Sequence, residues 1–110
     1  MNQGEIWNAR FDPTEGREQS GARPVIIVSG NTLNDYMDLV IVCPLTSSIK
    51  KIKKCLVIEP TTENNLSQTS QILPFQIRTL RKERLFKYIG SLENSLIDQV
   101  IFDLNYFLTQ

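Results

Sequence analysis

Three short runs of branched apolar residues, bounded by proline or turn chemistry, constrain this chain most. They are Pro24–Val28 (Pro-Val-Ile-Ile-Val), Leu39–Val42 (Leu-Val-Ile-Val) and Cys55–Ile58, with Pro44 and Pro60 closing the second and third. Such runs are too short for buried helices and fit interior strands. Proline lacks the N–H that a ladder needs, so it marks where strands begin and stop. Around them, Gly4–Phe11 predicts a first strand through the imperfect alternation of Ile6, Trp7, Ala9 and Phe11. Gln71–Thr79 predicts another, with Pro74 marking a bulge or an edge, and Leu85–Ile89 a last short one. Turn chemistry covers Gly30–Asp35. Polar connections cover Thr46-Ser47-Ser48 and Thr61–Ser70, and Leu80–Arg84 is a charged connection with room for one helical turn.

The end of the chain follows a different period. Leu92, Leu96, Ile97, Val100, Ile101, Leu104, Phe107 and Leu108 recur at helical spacing, with polar residues between them. This predicts an amphipathic helix of about four turns, with Ser91 or Asn94 as its cap. Packing on the sheet is the expected use of the stripe, and binding a partner the alternative. Many short strands followed by one helix predict a mainly β chain: a small SH3-like barrel with a C-terminal amphipathic helix. At 110 residues, a single domain over 1–110 is expected.

Composition narrows the chemistry. The chain has no histidine, and its two cysteines, Cys43 and Cys55, form no C-x-x-C pair. Zinc sites of the common kinds, Ser-His-Asp and Cys-His arrangements and a histidine pair for RNA cleavage are thereby excluded. Both cysteines lie in apolar runs, which predicts buried free thiols rather than a disulfide. No phosphate-cradling G-x-x-x-x-G-K-[ST] loop and no G-x-G-x-x-G are present. The N-terminus has no secretion-signal pattern, and no apolar stretch reaches the ~18 residues of a membrane span. A cytoplasmic location is expected.

Net charge is zero, but the charge is polarised. Between Lys50 and Lys87 there are nine basic residues and three acidic ones, a local +6 that leaves −6 on the rest. A basic face on a neutral protein can attract an anion; two solvated charge runs are the plainer explanation. Three segments hold suitable groups for a phosphate. Gly16–Val25 places Arg23 at the mouth of a buried strand, where its planar fork of donors matches phosphate oxygens, unless it pairs with Glu18. Pro44–Ser48 supplies the hydroxyls of Thr46 and Ser47 behind another strand, as an ordinary polar turn also would. Phe75–Thr79 would set Gln76 and Arg78 on one strand face.

Taken together, four segments resemble the MazF/PemK toxins of bacterial toxin–antitoxin systems. They are Gly4-Glu5-Ile6-Trp7, Phe11-Asp12-Pro13-Thr14-Glu15-Gly16-Arg17-Glu18-Gln19-Ser20-Gly21-Ala22-Arg23-Pro24-Val25, Pro44-Leu45-Thr46-Ser47 and Gln76-Ile77-Arg78-Thr79-Leu80-Arg81-Lys82-Glu83-Arg84-Leu85. The resemblance runs from Gly4 into the terminal helix, and the second stretch is long and specific. It implies an SH3-like barrel acting as a homodimer, metal- and cofactor-free cleavage of single-stranded RNA at selected sequences, and a cognate antitoxin protein as partner. It implies that Arg23 and Thr46 are catalytic and that Glu18, Gln19, Gln76 and Arg78 line the RNA groove. The sequence departs from the family at Phe75, where many members carry an acidic residue; an aromatic ring there could stack on a base.

On that resemblance the expected reaction is attack of the RNA 2′-hydroxyl on the adjacent phosphorus, giving a 2′,3′-cyclic phosphate and a 5′-hydroxyl. Arg23 and Thr46 would hold the phosphate oxygens, Glu18 is the leading candidate base, and Ser47, Lys50 and Lys51 would add RNA contacts. Two alternatives share the fold: a non-catalytic toxin of the CcdB type that inhibits DNA gyrase, and an SH3-like binding module. The first rests on C-terminal residues in its family, and the second wants an exposed aromatic groove.

Overall fold

The strand built on Pro24–Val28 runs as Ala22–Ile27, and its neighbours alternate between two cores. Val25 and Ile27 face one, Ile26 the other, and all three are fully buried. A strand covered on both faces has to be apolar at every position, which is why the run lacks polar alternation. The computed structural model describes residues 1–11 and 21–110; the expected loop Asp12–Ala22, except its last two residues, lies outside them, as do Glu18 and Gln19.

The elements follow as β1 (Glu5–Arg10), β2 (Ala22–Ile27), α1 (Asn31–Tyr36), β3 (Leu39–Thr46), β4 (Val57–Ile58), β5 (Ser70–Ile72), β6 (Arg78–Arg81), β7 (Leu85–Ser91) and α2 (Asn94–Thr109), with 3-10 turns at Pro74–Gln76 and Lys82–Arg84. The antiparallel sheet has the order β4-β5-β3-β2-β1-β7, and β6 also pairs with β3. The first core gathers Ile6, Ile26, Cys43, Leu45 and Ile72 under Ile97 and Val100 of α2. The second holds Ala9, Val25, Ile27, Val40, Val42, Leu80 and Leu85, with Trp7 and Phe11 packed at its margin. Mainly β architecture with a C-terminal helix is therefore as expected; Leu92, Ile97 and Val100 of the stripe pack in the first core, while Ile101 and Leu108 are exposed.

Five local expectations differ. Of the run Cys55–Ile58 only Val57–Ile58 is a strand, and it lies at the edge of the sheet with Val57 exposed. Pro44 does not close β3, which continues to Thr46. β3 changes partners beside it, pairing with β6 at Leu39–Val42 and with β5 at Leu45–Thr46, so the missing N–H falls at a junction. Pro44 still contributes its carbonyl, which accepts from Leu73 N–H at 3.0 Å. The expected strand Gln71–Thr79 is two strands, β5 and β6, split by the 3-10 turn that starts at Pro74. Gly30–Asp35 leads into a helix rather than a plain turn. The fully buried Asn34 side chain fixes it, accepting from Ser29 Oγ at 2.5 Å and donating to Ser29 O at 3.0 Å. Finally, α2 is preceded by Glu93 with no side-chain cap; Ser91 ends β7 and Asn94 is already helical.

Two close approaches tie the ends together. Gly90 has the Asn64 carbonyl oxygen 2.4 Å from where a Cβ would stand, so the 61–66 loop lies directly on β7. Ser91 N–H bonds Glu63 O there at 3.1 Å. Both cysteines are free and buried. Burial pushes the Cys43 thiol up to about 12; burial, aided by the Asp103 carboxylate, raises that of Cys55. No described helix is long and apolar enough to cross a membrane.

Candidate functional site

One end of the β2–β3 pair carries most of the residues singled out in the sequence. The last paired residues there are Val25 and Pro44. Arg23 and Thr46 each lie two residues further along, so strand alternation turns both to the face of Val25 and Pro44. The pairing of Ala9 with Arg23 confirms the face for Arg23, since Ala9 belongs to the second core. Arg78 pairs with Val42, another residue of that core. Three adjacent strands thus deliver Arg23, Thr46 and Arg78 to the margin of one face.

Phe11, Arg23, Gln76, Ile77 and Arg78 line an open concavity of about 570 Å³ at this margin. The Phe11 ring lies 4.7 Å from the Arg78 guanidinium carbon and 5.5 Å from that of Arg23. Two guanidinium groups share one ring, an arrangement that holds rigid forks without neutralising them. Among the described residues no carboxylate lines the concavity, and the ion pair found among them, Arg81–Asp38 at 3.4 Å, lies elsewhere and is exposed. Two neighbouring guanidinium groups repel each other, and a bound phosphate relieves that cost.

Gln76 reaches the site by a different route from the one expected. It does not share a strand face with Arg78; it ends the 3-10 turn, which pushes it out opposite the β3 junction. The departure at Phe75 is also resolved differently. Phe75 does not line the concavity. Its ring packs edge-on against Phe107 of α2 at 5.5 Å, so it anchors the turn to the helix.

Thr46 is half-buried, and its Oγ1 accepts the Ser48 N–H at 3.1 Å. Accepting that bond leaves its own O–H free to donate and polarises it for doing so. Ser47, Lys50 and Lys51 are exposed on the segment that follows. Gln71 fixes this segment, a role that only a polar residue in an apolar strand hints at. Although buried, Gln71 accepts from Lys50 N–H at 3.0 Å and donates to Lys50 O at 2.9 Å and Cys55 O at 3.1 Å. Phe11 is the other residue whose role was missed. It reads as a core aromatic, and only its place at the strand end hints at more.

On the opposite face of the same rim a second concavity opens, lined in part by Pro24 and Ser47, the chain neighbours of Arg23 and Thr46.

A strongly bent antiparallel sheet with a C-terminal helix, whose strand ends present two neighbouring guanidinium groups, defines a small mainly β protein with a cationic rim. A family model for the PemK-like, MazF-like toxins of type II toxin–antitoxin systems matches residues 2–108. The chain belongs to that family. It is 37% identical over 101 residues to the endoribonuclease MazF of Staphylococcus saprophyticus, covering 91% of this chain and 84% of that protein. Its fold is similar to MazF in a MazE–MazF crystal structure from Deinococcus radiodurans, with a TM-score of 0.79, 23% identity and coverage of 98% and 95% of the two chains. It is also similar to a mycobacterial endoribonuclease solved in complex with its cognate antitoxin, with a TM-score of 0.78, 23% identity and coverage of 98% and 94%.

Proposed function

We propose that this chain is a toxin that cleaves single-stranded RNA at selected sequences, using its own side chains and the 2′-hydroxyl of the substrate, and that an antitoxin protein holds it in check. The observation that carries this is the concavity in which Arg23 and Arg78 share the Phe11 ring, with Thr46 on the same face of the neighbouring strand. Membership of the toxin family and identity to an endoribonuclease over most of the chain support it.

The RNA 2′-oxygen attacks the adjacent phosphorus as the bond from phosphorus to the 5′-oxygen breaks. The 2′-hydroxyl proton leaves to a base, for which Glu18 is the candidate, and the 5′-oxygen takes up a proton. Charge grows on the phosphate oxygens. Arg23 holds them through two parallel donors and Thr46 adds a third, both fixed before the substrate arrives. Arginine's high pKa favours an electrostatic role over full proton donation. Gln19, Gln76 and Arg78 contact the RNA around the scissile bond, and Ser47, Lys50 and Lys51 contact it beyond. The chain works in the cytoplasm as a homodimer, one domain per chain.

The test is cleavage of RNA by the purified protein in excess EDTA, with analysis of the new ends. Fragments bearing 2′,3′-cyclic phosphate and 5′-hydroxyl ends are expected. Complete loss of cutting in EDTA, or 5′-phosphate ends, would reject the mechanism.

A further inference from the structure

We infer that the concavity on the opposite face of the rim is a base pocket, which takes the base of a nucleotide adjoining the scissile phosphate and reads it through amide side chains. The inference rests on the ribonuclease reading for the identity of the ligand, while the shape and chemistry of the pocket stand without it.

The pocket encloses about 360 Å³, at the lower end of ligand pockets and suited to one small ligand rather than a peptide. Its near wall is a single cross-strand row. Lys87 of β7 pairs with Asn8 of β1, which pairs with Pro24 of β2. Residues opposite one another in a ladder share a face, so these three side chains converge. Its far wall is the loop carrying Leu66 and Gln68. The surfaces of Pro24, Leu66 and Ile89 offer apolar contact to a ring, and the amides of Asn8 and Gln68 offer both donors and acceptors. Amide side chains can bond the edge of an unstacked base in two places at once, which is how single-stranded RNA is read. Among the described residues, Lys87 supplies the only charge in the lining, and it is positive.

That sign matters because not every concavity shares it. The one beside the start of α2 is lined by Glu5, Glu63 and Glu93 and would repel a nucleotide. Among the described residues neither the pocket on the rim nor the Arg23–Arg78 concavity is lined by a carboxylate, and the two lie back to back across the β2–β3 strand ends. Pro24 follows Arg23 and Ser47 follows Thr46, so the two sites are one residue apart on both strands. A strand of RNA crossing this rim can leave its phosphate with Arg23 and Thr46 and tip the adjoining base over the edge.

The far wall is already set for this. The buried Asn64 side chain accepts from Thr61 N–H and Leu66 N–H, at 2.9 and 3.0 Å, and donates to Glu59 O at 3.0 Å. Asn65 donates to Ile89 O at 3.0 Å, tying the loop to β7 across the pocket. A wall held by this many bonds costs little ordering when a ligand binds.

The experiment has two arms on the full chain. In the first, the four nucleoside 5′-monophosphates are titrated into the protein and backbone amide shifts followed by NMR. We expect saturable shifts at Asn8, Ser47, Gln68 and Lys87 for some bases and not others, with Gln68→Ala and Lys87→Ala each weakening them about 10-fold. Shifts that do not depend on the base, or that both substitutions leave unchanged, overturn the pocket. In the second arm, cleavage of a randomised RNA pool is sequenced for wild type and Gln68→Ala. We expect selectivity to relax at one position beside the cut while uncut positions keep theirs; a uniform change at all positions overturns the pocket. Absence of cleavage by the wild-type protein instead rejects the ribonuclease reading, and the first arm then still decides the pocket.

Discussion

At the scale of single residues, the site is a matter of where two guanidinium groups are held. Arg23 and Arg78 come from strands far apart in the chain, and the Phe11 ring is what they have in common. Phe11→Leu keeps an apolar side chain against the second core and removes the π face. A cation–π contact of about 0.5–1 kcal/mol per exposed pair predicts a KM for RNA raised about 3-fold with kcat little changed. A large fall in kcat at constant KM would instead place Phe11 in the chemistry. The cysteines give a residue-scale prediction of the other sign. Cys43, with its pKa pushed from 9.0 to about 12 by burial, holds its proton more tightly folded than unfolded. Its contribution to stability is whole below pH 9 and declines as pH rises from there toward 12. Neither thiol should react with iodoacetamide in the native protein at pH 8, and mass spectrometry after a timed exposure checks it.

Among the elements, β3 and the segment along its edge show what a sequence conceals. The runs Pro24–Val28 and Leu39–Val42 were legible because branched residues buried on two faces leave an unbroken apolar signature. Pro44 was misleading, since its lack of an N–H counts against a strand only where a partner needs that donor, and β3 is changing partners there. Arg23 and Thr46 were found through a motif, not through physics; nothing in their local spacing says that two strand ends lie side by side. The contact of Phe75 with Phe107 could not be read from the sequence because it spans thirty-two positions of chain, beyond any local pattern. Phe75→Ala should therefore cost about 1 kcal/mol in urea unfolding, in the range of an aromatic pair, and leave the cut sequence unchanged. A changed cut sequence at full stability would return the ring to the RNA. Gly90→Ala has no room for its methyl beside the Asn64 carbonyl. We expect a loss of about 1–3 kcal/mol, seen as a lower urea midpoint, because backbone rather than a flexible side chain must give way.

Over the whole molecule, neutrality hides a division of charge. Lys50–Lys87 carries +6 and the remainder −6, and the two concavities with no carboxylate among their described lining residues share one rim while three glutamates line the groove near α2. RNA affinity should fall steeply between 50 and 200 mM salt, with a log–log slope of about −0.7 for each phosphate contacted; a flat response would mean that the basic segments do not touch the backbone. The fold class itself was readable from the change of period between Ile89 and Leu92, where strand patterning gives way to a helical stripe. The most direct measurement is the single-turnover cleavage rate of Arg23→Ala on one RNA oligonucleotide, with Thr46→Ala beside it and folding verified by circular dichroism. We predict at least about a 100-fold fall for each, as for the loss of one transition-state donor, and a rate for Arg23→Ala within a few-fold of wild type would contradict the central role given to its guanidinium.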